Sequence, residues 1–288
     1  MIAIATDRLS AIIDPMGAEL VWLHDPDGRE LMTDGDPAFW TGHAPILFPI
    51  VGALNGGTYT LDGREYALPQ HGFARKRAFE AMAHDAASVT LRLTDDADTH
   101  AVYPFAFALD VRHAIEGATL TTSVTITNRD SRDMPASIGF HPAFAWPLPY
   151  GAPRGDHRIL FERAEPGKLS AILPGGLIGP ADGDSPVIER TLRLHDDLFA
   201  VDALVWRSIA SQSLRYGADH GPQLRIDFPD TPMLGIWTKP GAAFVCVEPW
   251  HGIADPDGFA SEVWDKPGMM RFAPGEERTF ALAVTLER

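Results

Sequence analysis

Apolar and polar residues alternate along much of the chain with a period of two residues. The alternation is clearest over residues 89–94, 105–115, 120–127 and 280–286. Because successive side chains of a strand point to opposite faces of a sheet, this pattern predicts strands with one buried face. Turn-forming pairs such as Asp62-Gly63 separate the segments, and long stretches with helical periodicity are missing. The pattern therefore predicts an all-β fold of antiparallel strands, closed or stacked so that their edges are hidden.

A segment rich in proline, glycine and aspartate interrupts this pattern at residues 147–185. Such a segment is typical either of a linker between two domains or of long loops that carry short strands. The strand patterns before and after it read as parts of one sheet system, and neither internal repeats nor low-complexity tracts are present. We therefore expect a single domain over residues 1–288, with a two-domain division near this segment as the alternative.

Composition and charge narrow the range of partners. The chain has 288 residues, a net charge of -15 and 45% hydrophobic residues, an ordinary globular composition. A surface this acidic repels phosphate backbones and anionic lipid headgroups, which argues against nucleic acid and membranes as partners. Cys246 is the one cysteine, so no internal disulfide can form. Together with charges already within residues 1–8 and the lack of a bilayer-length apolar run, this predicts a cytoplasmic protein.

Three short segments combine titratable side chains with aromatic residues and glycine: residues 70–75, 139–144 and 246–252. In the third, Glu248 follows an apolar run typical of a strand buried on both faces, and it precedes Pro249, which tends to end a strand. A carboxyl group at the end of a buried strand is partly desolvated, which raises its pKa toward a value suited to a general base. The alternative role for Glu248 is a structural salt bridge or turn hydrogen bond.

The first two segments contain His71, between Gln70 and Gly72, and His141, between Phe140 and Pro142. A histidine in such surroundings is either a hydrogen-bonded core residue or a catalytic group. The chain has no His-x-x-x-His pair and no second cysteine, so the spacing predicts no metal site. Neither a Gly-x-Ser-x-Gly motif nor a phosphate-binding glycine loop is present, which argues against serine hydrolases and nucleotide-binding enzymes.

Four motifs occur in the same order as in one known family. They read PILFPIVG at residues 45–52, HGFAR at residues 71–75, GFHP at residues 139–142 and CVEPW at residues 246–250. In these motifs the chain resembles the aldose 1-epimerase (galactose mutarotase-like) family, in particular its bacterial branch with the HGFAR signature. The likeness extends from residues 17–20 to the last strand. It implies a large antiparallel β-sandwich of the galactose mutarotase-like supersandwich type.

The resemblance also implies an activity and roles for individual residues. The activity is that of an isomerase, a mutarotase that interconverts the α and β anomers of a free aldose without cofactor or metal. Glu248 corresponds to the general base, His141 to the general acid, and His71 to a residue that binds the sugar and stabilises charge. For the pair to work near neutral pH, Glu248 must stay ionised and His141 must have a raised pKa, favoured by the nearby negative charge.

Two pocket residues of the family are harder to match. The family places an aspartate in the pocket, which we match to Asp202, with Asp197 and Asp227 as competing candidates. Asp227 alternates with apolar neighbours in a pattern typical of an outward salt-bridged face. The arginine that relatives often carry just before or just after the first motif is missing here, so Arg75 or His43 would have to replace it.

Three other functions compete with free-sugar mutarotation. The cluster of Arg75, Lys76 and Arg77 suggests a hexose-6-phosphate 1-epimerase, although on a strand at most two of these side chains would share a face. A non-catalytic carbohydrate-binding protein is the second alternative, because folds host many functions. A glycoside hydrolase is the third; hydrolysis usually needs two carboxylates, and only Glu248 stands in a suitable setting.

Overall fold

Strands dominate the computed structural model, which describes residues 1–288. In chain order they are β1 (Ile2–Ala5), β2 (Ser10–Asp14), β3 (Glu19–His24), β4 (Ile46–Leu47), β5 (Thr58–Leu61), β6 (Arg64–Ala67), β7 (Glu80–His84), β8 (Ser88–Thr94), β9 (Phe107–Glu116), β10 (Thr119–Asn128), β11 (Met134–Ala136), β12 (Ile138–Phe140), β13 (Ala143–Ala145), β14 (Arg158–Phe161), β15 (Leu169–Ile172), β16 (Ile178–Gly183), β17 (Thr191–Arg193), β18 (Leu204–Trp206), β19 (Ser213–Gly217), β20 (Gln223–Asp227), β21 (Met233–Trp237), β22 (Phe244–His251), β23 (Met270–Phe272) and β24 (Glu277–Glu287). The α-helix α1 spans Ala97–Val102, and short 3-10 helices span Asn55–Gly57, Ala74–Lys76, Arg154–Asp156, Pro174–Gly176, Asp196–Phe199 and Val263–Asp265. No helix has the length and apolar character needed to cross a bilayer.

Two large antiparallel sheets form the body of the molecule. One has nine strands in the order β17-β14-β19-β20-β24-β10-β9-β8-β7, and the other has eight, in the order β16-β15-β18-β21-β22-β12-β4 with β13 also paired to β22. The four segments predicted from their alternation are β8, β9, β10 and β24, which lie side by side in the nine-stranded sheet. The hairpin predicted at Asp62-Gly63 joins β5 to β6.

The core lies between the two large sheets, whose inner faces share a cluster of 62 buried residues. Phe161 of the nine-stranded sheet packs edge-on against Trp206 of the eight-stranded sheet, with ring centroids 5.8 Å apart. Tyr216 of β19 donates a hydrogen bond of 2.6 Å to the carbonyl oxygen of Ala145 in β13. The all-β sandwich predicted from the sequence is therefore confirmed.

The loop-rich segment 147–185 contributes strands to both sheets. Strand β14 joins the nine-stranded sheet, whereas β15 and β16 form one end of the eight-stranded sheet. A linker would contribute no strand to either sheet. This segment instead supplies strands that pair within both sheets. On this ground we propose that residues 1–288 form one domain.

Strand β22 is buried on both faces, as its apolar run predicts. Val245 and Val247 point into the main core. Cys246 and Glu248 alternate with them and therefore lie on the opposite face of the sheet. The expectation that Pro249 ends the strand is wrong, because β22 continues through it to His251.

A break in the neighbouring strand explains why Pro249 is tolerated. Beside β22, pairing with β13 ends at Ala143, and pairing with β12 resumes at Gly139. The N–H of Val247 donates to the carbonyl oxygen of Pro142, 3.2 Å away, so the nitrogen of Pro249, two residues on, points to the same side. That side is the break, where proline's missing N–H costs no ladder hydrogen bond. The break contains His141, which is thereby brought beside β22.

A buried ion pair joins two loops near this face. Lys266 Nζ lies 2.5 Å from Asp255 Oδ1, and both side chains are almost fully buried. The other carboxylate oxygen of Asp255 accepts the N–H of Asn55 at 2.9 Å, and the Asp255 N–H donates to the Ala53 carbonyl at 2.9 Å. The pair therefore fixes the loop around residue 54 to the loop that follows β22.

Removing the lysine charge should destabilise the fold strongly. We expect Lys266→Met to lower the free energy of unfolding by about 3–5 kcal/mol, since it leaves the Asp255 carboxylate buried without its partner. The measurement is urea unfolding followed by tryptophan fluorescence. The matched control is Lys168→Met, because the Lys168–Asp184 pair is exposed to solvent and its loss should leave the free energy of unfolding almost unchanged. Equal stability of the two variants would contradict this account of the pair.

Candidate active site

A cavity of about 390 Å³ opens on the face of β22 that carries Glu248. Loops from distant parts of the chain complete its walls, so residues between positions 40 and 254 meet there. All the site residues predicted from the sequence line it: His71, Arg75, His141, Asp202 and Glu248. The size is within the range of small-molecule pockets.

His141 and Glu248 form the floor of the cavity. His141 Nε2 lies 3.1 Å from Glu248 Oε2, and the two residues are only 8% and 2% exposed. The Trp40 ring stacks on the His141 imidazole with centroids 4.8 Å apart, and Trp237 meets its edge at 5.9 Å. These rings fix the orientation of the imidazole and keep water away from its faces.

Burial sets the protonation of this pair. Desolvation, with the negative charge of Asp202 as a smaller contribution, raises the pKa of Glu248 well above its usual range. Desolvation also lowers the pKa of His141 to about 3, and the positive charge of Arg75 acts in the same direction. The expectation of an ionised Glu248 beside a His141 of raised pKa is therefore wrong, because burial favours a neutral carboxyl group that donates to a neutral imidazole.

Backbone geometry fixes His71 as a hydrogen-bond donor. The Gly52 N–H donates to His71 Nδ1 at 3.1 Å, so the proton of the neutral ring lies on Nε2, which is 3.3 Å from the Gln70 side-chain amide at the cavity wall. Burial, with the charges of His141 and Arg75, lowers the pKa of His71 well below its usual value, which keeps the ring neutral. His71 itself has φ = 67°, and a Cβ on the next residue, Gly72, would lie 2.2 Å from the Phe48 carbonyl oxygen. This tight crossing of two chain segments requires glycine.

Arg75 is the cation of the cavity wall. It lies on the 3-10 helix Ala74–Lys76, not on a strand. Its Nη2 donates to the Gln70 carbonyl oxygen at 2.8 Å, while its buried Nε has no hydrogen-bond partner in the protein. Burial lowers its pKa, and the charge of Glu19 opposes that effect. Arg75 therefore retains donor capacity toward a bound molecule.

The rest of the basic cluster points away from the cavity. Lys76 is exposed. Arg77 pairs with Asp96 and, at 3.5 Å, with Asp98. His43, the other candidate to replace the family arginine, does not line the cavity. Of these side chains only Arg75 reaches the pocket.

The three candidate aspartates are separated clearly by the structure. Asp202 lies in the loop before β18 and lines the cavity. Its Oδ1 accepts the N–H of Ala203 at 2.7 Å, which leaves the second oxygen free of protein partners. Asp197 is exposed outside the cavity, and Asp227 pairs with Arg225 at 2.7 Å on the outward face, as its alternation predicts.

Sequence reasoning missed the supports of the aromatic wall. The indole of Trp250 lies across the neighbouring strands, where a Cβ on Gly139 or on Gly235 would come within 2.7 Å of its ring. Trp40 and Trp237 also line the cavity. The sequence gives only a weak signal for this arrangement, because Gly139 and Gly235 are isolated glycines. Their role is evident only when the strand register places them beside Trp250.

Comparison with known proteins identifies the family of this chain. A sequence model of the aldose 1-epimerase family matches residues 1–157. The chromosomal protein LacX of Lactococcus lactis subsp. lactis is 31% identical over 296 residues, which cover 99% of each chain. This chain belongs to the aldose 1-epimerase family.

Two solved structures extend the agreement to the whole fold of this aldose 1-epimerase family member. A galactose mutarotase-like protein from Lactobacillus casei ATCC 334 superposes with a TM-score of 0.92 at 30% identity and covers 100% of both chains. A galactose mutarotase related enzyme from Lactobacillus acidophilus gives 0.89 at 30% identity, covering 100% of this chain and 97% of the other. The family predicted from the four motifs is confirmed, and it indicates a mutarotase-like carbohydrate epimerase of the isomerase type.

The proton that His141 and Glu248 share determines how kcat/KM of this epimerase family member should depend on pH. A pair that must hold one proton works between the pH at which it takes up a second and the pH at which it loses the first. Because the lowered pKa of His141 is about 3, we expect kcat/KM to stay level as the pH falls to about 4. A pair with an ordinary glutamate would instead lose activity as the pH falls through about 4.3. The alkaline limb should reflect the raised pKa of Glu248.

The measurement is the rate of anomer exchange by NMR across this range, with tryptophan fluorescence at each pH as a control for acid unfolding. An acid limb in the ordinary range of glutamate, without loss of structure, would contradict the assignment.

Proposed function

We propose that the protein is an aldose 1-epimerase that interconverts the α and β anomers of a free aldose. The observation that carries the proposal is the 3.1 Å separation of His141 Nε2 and Glu248 Oε2 on the cavity floor. In a cyclic sugar the anomeric oxygen O1 and the ring oxygen O5 are bonded to the same carbon, C1. A base for O1 and an acid for O5 must therefore lie side by side, as these two groups do.

Ring opening needs two proton transfers. The Glu248 carboxylate takes the proton of the O1 hydroxyl group, and the His141 imidazolium gives its proton to O5 as the C1–O5 bond breaks. The product is the open-chain aldehyde. Rotation about the C1–C2 bond presents the other face of the carbonyl, and ring closure with the roles reversed gives the other anomer. Each positioned group is worth about 10²–10⁴ in rate.

The pair needs no proton from solvent during this cycle. At the start the two side chains share one proton. The pair reaches its reactive ionised form when this proton crosses the hydrogen bond from Glu248 to His141. Opening then converts the ion pair into the neutral pair. Burial stabilises the neutral pair relative to the ion pair, because desolvation penalises charge. The dry floor of the cavity therefore favours the opening step.

Other groups of the cavity are suited to holding a sugar ring. The Trp250 indole offers an apolar face, His71 Nε2 a hydrogen-bond donor, Asp202 an acceptor and Arg75 a charged donor. A few polar groups on an apolar wall are typical of sites that orient a small ligand. Because donors and acceptors surround the acid–base pair, the proposed ligand is the neutral, hydroxyl-rich sugar.

The alternatives have less support from the geometry. A hexose 6-phosphate would meet one cation, Arg75, because Lys76 and Arg77 lie outside the cavity. A glycoside hydrolase needs two carboxylates across the scissile bond; the second carboxylate of this cavity, Asp202, is bonded to the Ala203 N–H, and the group in contact with Glu248 is a histidine. A protein that only binds sugars has no use for a buried pair sharing one proton, which costs folding free energy to desolvate.

Replacing the base should remove catalysis and leave binding. We expect Glu248→Gln to lower kcat by at least about a hundredfold, since the amide keeps the shape but cannot accept the O1 proton. Sugar binding, measured by tryptophan fluorescence, should change little. The matched control is Asp202→Asn, which neutralises another carboxylate of the same cavity and should weaken binding more than it lowers kcat.

The measurement of turnover is NMR exchange spectroscopy on a panel of aldoses, which distinguishes an epimerase from a binder or a hydrolase. Retention of more than about a tenth of the wild-type kcat in Glu248→Gln would reject Glu248 as the base.

Phosphorylated sugars should be no better as substrates than free ones. We expect kcat/KM for glucose or galactose to equal or exceed that for glucose 6-phosphate, with little dependence on salt, because a single arginine faces the cavity. The comparison uses low and high ionic strength, Arg75→Ala, and Lys76→Ala as a control on the same 3-10 helix. A tenfold preference for the phosphate that falls with salt and disappears only in Arg75→Ala would instead favour a hexose-6-phosphate 1-epimerase.

A further inference from the structure

A third titratable side chain lies beside the acid–base pair and has no part in the proton transfers. Cys246 and Glu248 are two residues apart on β22, so their side chains leave the strand on the same face. A nitrogen of His141, the sulfur of Cys246 and an oxygen of Glu248 all lie within 4.8 Å of one another, and all three residues are buried. The Cys246 thiol lies directly behind the cavity lining, in a cluster with Phe244 that Trp40 and Trp237 pack against.

The three groups form a ligand set typical of zinc. Protein zinc sites combine thiolate, imidazole and carboxylate ligands, with Zn–S distances of about 2.3 Å and Zn–N or Zn–O distances of about 2.0–2.2 Å. An ion among atoms spaced as they are here would reach these distances after shifts of less than about 1 Å. Three protein ligands leave one position of a tetrahedral ion open toward the cavity, where water or a sugar hydroxyl group can enter.

A second observation points to a ligand at this place. His141 Nδ1 is buried and has no hydrogen-bond partner, although the residue is only 8% exposed. Buried polar atoms are normally satisfied, and because Nε2 is bonded to the Glu248 carboxyl group, Nδ1 is the nitrogen left without a partner in the protein. Metal-bound histidines use either nitrogen, and the other one then needs a partner.

We propose that a divalent cation of the zinc class binds to His141, Cys246 and Glu248 at the floor of the cavity and inhibits the protein in competition with sugar. The binding part rests on the geometry alone, and the inhibition part rests on the proposed function. The cation would replace the proton that His141 and Glu248 share and the proton of the Cys246 thiol, and both would be released to solvent. With both catalytic groups coordinated, neither proton transfer can take place.

Binding is tested first without reference to activity. The probe is Co²⁺ alone, added to the wild-type protein, because a cysteine thiolate bound to Co²⁺ gives a charge-transfer absorption band in the near ultraviolet. We expect one Co²⁺ per chain with this band, displaced by Zn²⁺. A sugar that binds in the cavity should weaken Co²⁺ binding. Absence of the band, or a band that sugar does not affect, would overturn the proposal.

Inhibition is then tested with variants that keep the acid–base pair. We expect Cys246→Ala to retain turnover, since the thiol has no part in the reaction, and to need at least tenfold more Zn²⁺ for half inhibition. Cys246→Val fills the space of the thiol and serves if the alanine variant is unstable. His24→Ala is the matched control, because His24 and Glu30 form a half-buried surface pair 3.2 Å apart and its loss should leave the response to Zn²⁺ unchanged.

The outcomes separate this proposal from the proposed function. Equal inhibition by Zn²⁺ in the wild type and both Cys246 variants would reject the site even if the epimerase activity is found. A thiolate band that competes with sugar in a protein without epimerase activity would support the site and reject the proposed function. Co²⁺ that binds without the thiolate band, as tightly in Cys246→Ala as in the wild type, and no longer binds in His24→Ala would place the cation at the surface pair and overturn the proposal.

Discussion

The burial of β22 on both faces is the constraint on which the rest of the site depends. The strand supplies valines to the main core on one face and Glu248 to the cavity on the other. A central strand of a large sheet moves little, so a carboxyl group on it is held in place at the cost of losing its solvent. That loss of solvent raises the pKa of Glu248 and gives it a proton to share with His141.

The break between β12 and β13 turns this rigid strand into a reactive site. Without the break, the position beside Glu248 would be filled by backbone hydrogen bonds of a continuous neighbouring strand. With it, Pro249 is tolerated, because its nitrogen faces the break. The side chain of His141 comes within 3.1 Å of Glu248. One local irregularity therefore places the imidazole and accommodates the proline.

The walls of the cavity depend on close contacts that allow only small residues. Gly72 passes against the Phe48 carbonyl, a Cβ on Gly52 would lie 2.5 Å from Ala254, and the buried Lys266–Asp255 pair holds the adjoining loops. These contacts orient His71 through its hydrogen bond from Gly52. The hydrogen-bond donor is thus positioned largely by backbone packing, which accounts for the density of glycine around the site.

Much of the fold and part of the site followed from the sequence. Strict alternation over β8, β9, β10 and β24 predicted half-buried strands, since side chains two residues apart on a strand lie on the same face of the sheet. The order of the four motifs indicated the family. The residues Glu248, His141, His71 and Arg75 were found because titratable groups among aromatics and glycines stand out locally. The end of β22 was predicted wrongly, because the effect of Pro249 depends on which side of the strand its nitrogen faces.

Tertiary structure decided what depends on register and burial. Cys246 and Glu248 are two residues apart in the sequence, but the His-x-x-x-His spacing of metal sites on helices does not describe two ligands on one strand. Which aspartate reaches the cavity, which cation of the basic cluster faces it, and which glycines underlie Trp250 are determined by the pairing of strands far apart in the chain. The direction of the His141 pKa shift could not be predicted from the sequence either, because the sequence indicated only the nearby negative charge of Glu248. The folded protein buries both partners, so Glu248 holds its proton, and desolvation lowers the pKa of His141.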